Sequence, residues 1–100
     1  MGKWIRQTPK VPDEKGDYMF HHVFYLTPGV RELITYDEMI GIITELRTLA
    51  EEHDGIDYLQ VYVRGDDKIW VIDQISKTMI EEERYTEADG YATILLLSEY

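Results

Sequence analysis

The sequence predicts an α+β domain in which one long helix packs on an antiparallel sheet of about four strands, in the order β-α-β-β-β. Three observations carry that prediction. Apolar side chains recur with a helical period from Tyr36 to His53, and Ile56 to Gln74 reads as a β-hairpin that is apolar on both faces. Tyr91 to Leu97, YATILLL, is a nearly continuous apolar run of the kind buried strands carry. A chain of 100 residues makes one domain with a real but modest core. At 44% hydrophobic and 12% aromatic, it has the composition of a folded protein despite a net charge of −10.

Residues 1–17 hold Pro9, Pro12 and Gly16 among polar residues and read as an N-terminal arm, with residues 18–100 forming the domain. Lys3, Arg6 and Lys10 make the start of the arm basic, and Trp4-Ile5 is its expected anchor. Tyr18 to Leu26, YMFHHVFYL, is expected to be a strand. Its alternation puts Phe20, His22, Phe24 and Leu26 on one face and Met19, His21, Val23 and Tyr25 on the other. Thr27-Pro28-Gly29 then breaks it, because Pro28 and Gly29 suit the two central positions of a type II turn. Val30 to Ile34 is a short apolar lead to the helix.

The helix start is the best specified local feature. Thr35-Tyr36-Asp37-Glu38 fits a capping box, and Ile34 and Met39 stand at the positions of a hydrophobic staple. Asp37 and Glu38 also favour the positive end of the helix dipole. The helix should run to about His53, with Gly55 closing it in a left-handed cap. Met39, Ile42, Ile43, Leu46, Leu49 and Ala50 form the apolar arc, with Tyr36 and Ile40 at its edge. On the opposite arc, Glu38, Glu45 and Glu52 stand seven apart in an acidic stripe that no basic residue four positions on offsets. Gly41 on that outer face costs about 0.5–1 kcal/mol against Ala without serving the core, which a partner's close approach would explain.

In the hairpin, Leu59, Val61 and Val63 alternate with Tyr58, Gln60 and Tyr62. Gly65-Asp66 is a two-residue loop with Gly first, which suits a type II′ turn. That turn sets Val61 opposite Trp70 and Leu59 opposite Ile72. The face with Leu59, Val61, Val63, Trp70 and Ile72 is expected to meet the helix. Tyr58, Tyr62, Ile69 and Val71 then line a second face too apolar for free solvation, which a further layer, a partner or a homodimer would cover. Ile75 to Ile80 is expected to continue the strand, followed by an acidic loop with Glu81, Glu82, Glu83, Glu87 and Asp89. The last strand is expected at a central, doubly covered position in the sheet.

Charge divides unevenly. Residues 1–35 carry five basic and four acidic side chains, whereas residues 36–100 carry five basic and sixteen acidic ones. Such a body disfavours a direct grip on nucleic-acid phosphates and favours a basic protein partner through complementary potential. No apolar run reaches a membrane-spanning length, no secretory signal is recognisable, and a cytoplasmic protein is expected.

Little in the chain points to catalysis or cofactors. With no cysteine there is no disulfide, thiolate nucleophile or Cys-based metal site. His21 and His22, adjacent on a strand, point to opposite faces and cannot chelate one ion together. His53 suits the helix C-terminus. Asp66, Asp67 and Asp73 match no calcium-loop spacing, and no nucleophile elbow or phosphate loop is present. The expectation is a protein without enzymatic activity, cofactor or metal.

Leu26-Thr27-Pro28-Gly29-Val30 leading to a helix, then Asp57-Tyr58-Leu59-Gln60-Val61 and a C-terminal apolar strand, is similar to small bacterial and phage domains of unknown function over residues 24–97. In size and acidity the chain resembles inhibitors of nucleic-acid enzymes, such as nuclease immunity proteins and phage anti-CRISPR or anti-restriction proteins. That resemblance implies an acidic binding module that occupies a basic, nucleic-acid-binding surface of a partner. The expected contact residues are Asp37, Glu38, Gly41, Glu45 and Glu52 on the helix, Tyr58 and Tyr62 as aromatic anchors, and Glu81, Glu82 and Glu83 in the loop. The alternative is a homodimeric structural or regulatory domain whose charge serves solubility.

Overall fold

The hairpin lies inside a five-stranded sheet, one strand more than expected. The computed structural model describes residues 3–7, 16–20, 23–82 and 90–99. In chain order its elements are β1 (Ile5–Arg6), β2 (Val23–Leu26), α1 (Pro28–Leu33), α2 (Tyr36–His53), β3 (Leu59–Arg64), β4 (Asp67–Asp73), α3 (Lys77–Glu81) and β5 (Tyr91–Leu96). The sheet order is β1-β3-β4-β5-β2. Three of the four pairings are antiparallel, but β2 runs parallel to β5, so the sheet is mixed. β4, not the C-terminal strand, holds the centre. The expected arm contributes Ile5 and Arg6, which pair with Val63 and Tyr62 at one edge.

The hairpin register is the expected one: Val61 faces Trp70 and Leu59 faces Ile72 across the Gly65-Asp66 loop. Gly65 has φ +60° while Asp66 stays out of the positive-φ region, as a type II′ turn requires. The two faces are exchanged relative to the expectation. Gln60, Tyr62, Ile69 and Val71 lie under α2 with Ile94, and Tyr62 is only 1% exposed. Leu59, Val61, Val63 and Trp70 form the outer face. Hydrophobic period could not choose, since both rows are apolar; the polar tips of the inner row decide. Gln60 accepts from Arg6 Nε at 2.8 Å, the Tyr62 hydroxyl donates to Glu45, and Arg64 donates to Glu38 at 2.8 Å. Polar groups taken from water need such partners, and this face supplies them.

α2 matches its sequence signature. The Thr35 hydroxyl accepts from the Glu38 amide at 3.1 Å and the Glu38 carboxylate accepts from the Thr35 amide at 2.8 Å, completing the capping box. Ile42, Leu46 and Ala50 are buried in the core and Met39 and Leu49 pack against it. Tyr36 and Ile40, at the arc's edge, are exposed. The helix ends one residue earlier than a glycine cap would place it: Asp54 takes the left-handed conformation first, and Gly55 follows at φ +115°.

Three expected extended or turn segments differ. Thr27-Pro28-Gly29 is not a type II turn but the start of α1, because Pro28 has the φ that a first helical residue wants. Glu99 caps that helix from the chain's other end, accepting from the Gly29 amide at 3.2 Å and the Thr27 hydroxyl at 2.5 Å. The Ile75 to Ile80 strand is replaced by α3, whose N-cap is Ser76; its hydroxyl accepts from the Met79 amide at 3.2 Å. Of the expected Tyr18 to Leu26 strand, Val23–Leu26 forms β2, whereas Phe20 leaves extended geometry with φ +56°. That residue is held by a buried brace: its amide donates to Asp73 at 3.1 Å and its carbonyl accepts from Arg47 Nε at 3.1 Å. His21 and His22 lie outside the described residues.

Candidate functional site

Where β1 meets α2, the sheet edge and the helix enclose a cavity of about 310 Å³ lined by Lys3, Trp4, Glu38, Gly41, Ile42, Glu45 and Tyr62. Glu38, Gly41 and Glu45 come from successive turns of α2 on the flank that the acidic stripe predicted. Trp4 comes from the arm, brought in by the pairing of Ile5 with Val63.

The two carboxylates have different surroundings. Glu38 is held from both sides, by the Thr35 amide and by Arg64 Nη1 at 2.8 Å. The Thr35 amide bond is the main reason its carboxyl titrates below the ordinary value of 4.5, with the Thr35 hydroxyl and the Arg64 charge adding to it against some desolvation. Glu45 is exposed and accepts the Tyr62 hydroxyl through Oε1; its other oxygen has no hydrogen bond among the described residues. Burial, and then that bond to Glu45, push the Tyr62 hydroxyl well above the usual phenol range, so it remains a donor.

Arg64 ties the wall together. Its guanidinium lies 4.5 Å over the Trp4 ring, donates to the Leu33 carbonyl at 3.2 Å and approaches Asp67 at 3.9 Å. Trp4 Nε1 is buried without an acceptor among the described residues. At Gly41 a Cβ would meet nothing within 4 Å, so the missing side chain leaves open space rather than relieving a clash.

Of the residues expected to bind a partner, Glu38, Gly41, Glu45 and Tyr62 therefore meet at one place. Tyr62 does so from beneath α2, which corrects its expected place on an uncovered face. Asp37 is exposed on the first turn of α2, and Glu52 is exposed near its C-terminal end, away from the cavity. Tyr58 is exposed at the start of the hairpin, its ring 6.0 Å from that of Tyr18. Glu81 and Glu82 are exposed at the end of α3, and Glu83 lies outside the described residues. Sequence reasoning missed Trp4, Lys3 and Arg64 as parts of the site. The signal available was the pairing of one tryptophan with basic residues in an otherwise polar arm.

A second cavity, about 460 Å³, lies by the hairpin loop and is lined by Gly29, Glu32, Leu33, Asp66, Asp67, Lys68, Leu96 and Ser98. Among the described residues no group of three or more His, Asp or Glu is placed to hold a metal ion, and no helix is long and apolar enough to cross a membrane. Comparison with protein-family models, with curated proteins and with solved structures finds no match. What the fold and the cavity define is an α+β protein with an acidic helix face bordering a mixed polar and apolar recess.

Proposed function

We propose that this chain is an acidic protein-binding module that occupies a basic, nucleic-acid-binding surface of a partner, with its carboxylates standing where phosphates would. The observation that carries this reading is the outer face of α2. Asp37, Glu51 and Glu52 are exposed there and their carboxylates make no hydrogen bond or ion pair with the described residues, while Gly41 leaves room for close approach. Carboxylates already hydrated and unpaired can exchange water for a partner's Arg or Lys at small cost. Glu38 and Glu45 serve the fold as well, so reversing their charge would report folding together with binding.

The experiment is affinity capture followed by competition. A captured nucleic-acid-binding protein should lose its duplex DNA or RNA when this chain is added, and Asp37→Lys/Glu51→Lys/Glu52→Lys should abolish that displacement with the fold intact. Displacement unaffected by the triple reversal refutes the reading.

A homodimeric structural or regulatory domain is the second reading, and a specific observation favours it. On the outer sheet face Ile5, Val23 and Tyr25 are 64%, 61% and 58% exposed, and Tyr25 stacks edge-on against exposed Tyr91 at 5.7 Å. Sedimentation should show a concentration-dependent dimer that Tyr25→Asp disperses; a strict monomer counts against it. Tyr62→Asp, buried beneath α2, would report folding instead.

A further inference from the structure

We infer that the cavity between β1 and α2 is the seat of one arginine side chain supplied by the basic partner; the inference rests on the docking reading above and adds its point of specificity. Four features of the recess argue for a guanidinium. The volume, about 310 Å³, accommodates a long side chain and the start of its backbone. Trp4 and Ile42 give the walls an apolar surface for the three-carbon stem. Glu45 presents a carboxylate oxygen without a hydrogen bond among the described residues, and the Tyr62 hydroxyl fixes its orientation in advance. Preorganisation of this kind lowers the entropic cost of forming a charge-assisted bond.

The fourth feature is the indole itself. Trp4 lines the cavity and holds the guanidinium of Arg64 4.5 Å over its ring, the cation–π contact that a second guanidinium would repeat from the cavity side. Gly41 acts as the entrance. A side chain there would stand in open space beside the recess, and its absence on an outward helix position serves neither packing nor turn geometry.

Lys3 is the opposing consideration. It lines the same cavity and is exposed, so an anion paired with Lys3 is the competing occupant. Neither Arg6 nor Arg64 is among the lining residues, and the Arg64 charge is offset by its ion pair with Glu38. Against the single cation Lys3 the lining sets two carboxylates, Glu38 and Glu45, and Glu45 keeps an oxygen without a hydrogen bond among the described residues, so the balance selects a cation.

The test is a titration of the full chain with N-acetyl-L-arginine amide, read by amide NMR at Gly41 and at the Trp4 indole N–H. Saturable shifts of both signals are expected. The neutral citrulline analogue should bind about tenfold more weakly or not at all, as should the arginine probe to Glu45→Gln, which keeps a hydrogen-bonding side chain but no charge. Gly41→Leu should block the shift of the Trp4 indole while retaining the fold, since its side chain has room. Equal shifts with citrulline, tighter binding of N-acetyl-L-glutamate amide, or an arginine response unchanged by Gly41→Leu would each overturn the assignment. If the arginine probe leaves the cavity unmoved while the Asp37/Glu51/Glu52 reversal still abolishes displacement, the seat is refuted and the docking reading stands. If arginine seats in the cavity but the chain displaces no nucleic acid, the docking reading falls and the seat survives.

Discussion

Removing either partner of the Tyr62–Glu45 hydrogen bond should have unequal consequences, and the inequality tests how the site is held. Tyr62 is buried and its hydroxyl points at a carboxylate on α2. In Tyr62→Phe the ring still fills its place and Glu45, being exposed, regains water; the loss is the net value of one hydrogen bond, about 1 kcal/mol. In Glu45→Ala the buried hydroxyl is left without an acceptor, which costs about 2 kcal/mol, reduced slightly because Ala is the better helix former. For a domain of this size those values lower Tm by about 5 °C and about 10 °C. The double variant has no orphaned group and should lie close to Tyr62→Phe alone, giving a coupling of about 2 kcal/mol. Urea titrations of the four proteins measure it. If Glu45→Ala costs no more than Tyr62→Phe and the two effects add, the hydroxyl reaches water and does not organise Glu45.

Other perturbations follow from the same contacts. Thr35→Ala removes the hydroxyl half of the capping box and should cost about 1 kcal/mol in chemical denaturation, while Thr35→Ser should cost much less. Glu38 titrates below its ordinary value in the folded chain, so its contribution is fully present above 4.5 and is lost as pH falls through the lower folded value. Glu38→Gln should therefore flatten the acid limb of a stability–pH curve, and an unchanged limb would refute the assignment. Gly41→Ala should raise stability by about 0.5–1 kcal/mol, since it adds helix propensity where nothing obstructs the methyl. Gly16→Ala should do the reverse: its Cβ would fall 2.0 Å from the Ile56 carbonyl carbon, displacing the bridge between Tyr18 and Ile56, with a loss visible as accelerated amide exchange at those residues.

Local chemistry with a short range was readable from the chain. Thr35 to Glu38 specifies a helix start by itself, and Gly65-Asp66 specifies both a turn and the register on either side of it. What was not readable depends on choices between equals. Leu59, Val61 and Val63 are as apolar as the row that actually meets α2, and only the distant partners Arg6, Glu45 and Glu38 settle which row goes in. The parallel pairing of β2 with β5 is non-local in the same sense, with most of the domain between the two strands. Ser76 is a legible cap in retrospect, but a five-residue helix has too few turns for its period to outweigh the β-formers before it. In the site, the acidic stripe was visible because it lies on one helix. Trp4 was not, because its place depends on two residues of an arm finding the edge of β3.

The acidic side chains of α2 fall into two groups by their contacts. Glu38 and Glu45 belong to one fold-stabilising cluster with Thr35, Arg64 and Tyr62, so their geometry is fixed whether or not anything is bound. Asp37, Glu51 and Glu52 have no such duty among the described residues, so they add field without adding order. A fixed carboxylate confers selectivity, because a cation must come to it at one position; unfixed carboxylates confer rate and reach, because they attract from any direction. Charge reversal at Asp37, Glu51 and Glu52 should therefore slow association and weaken its salt dependence. A neutral change at Glu45 should chiefly hasten dissociation. Measured separately, the two rate constants distinguish a docking surface that merely attracts basic proteins from one that recognises a particular side chain on them.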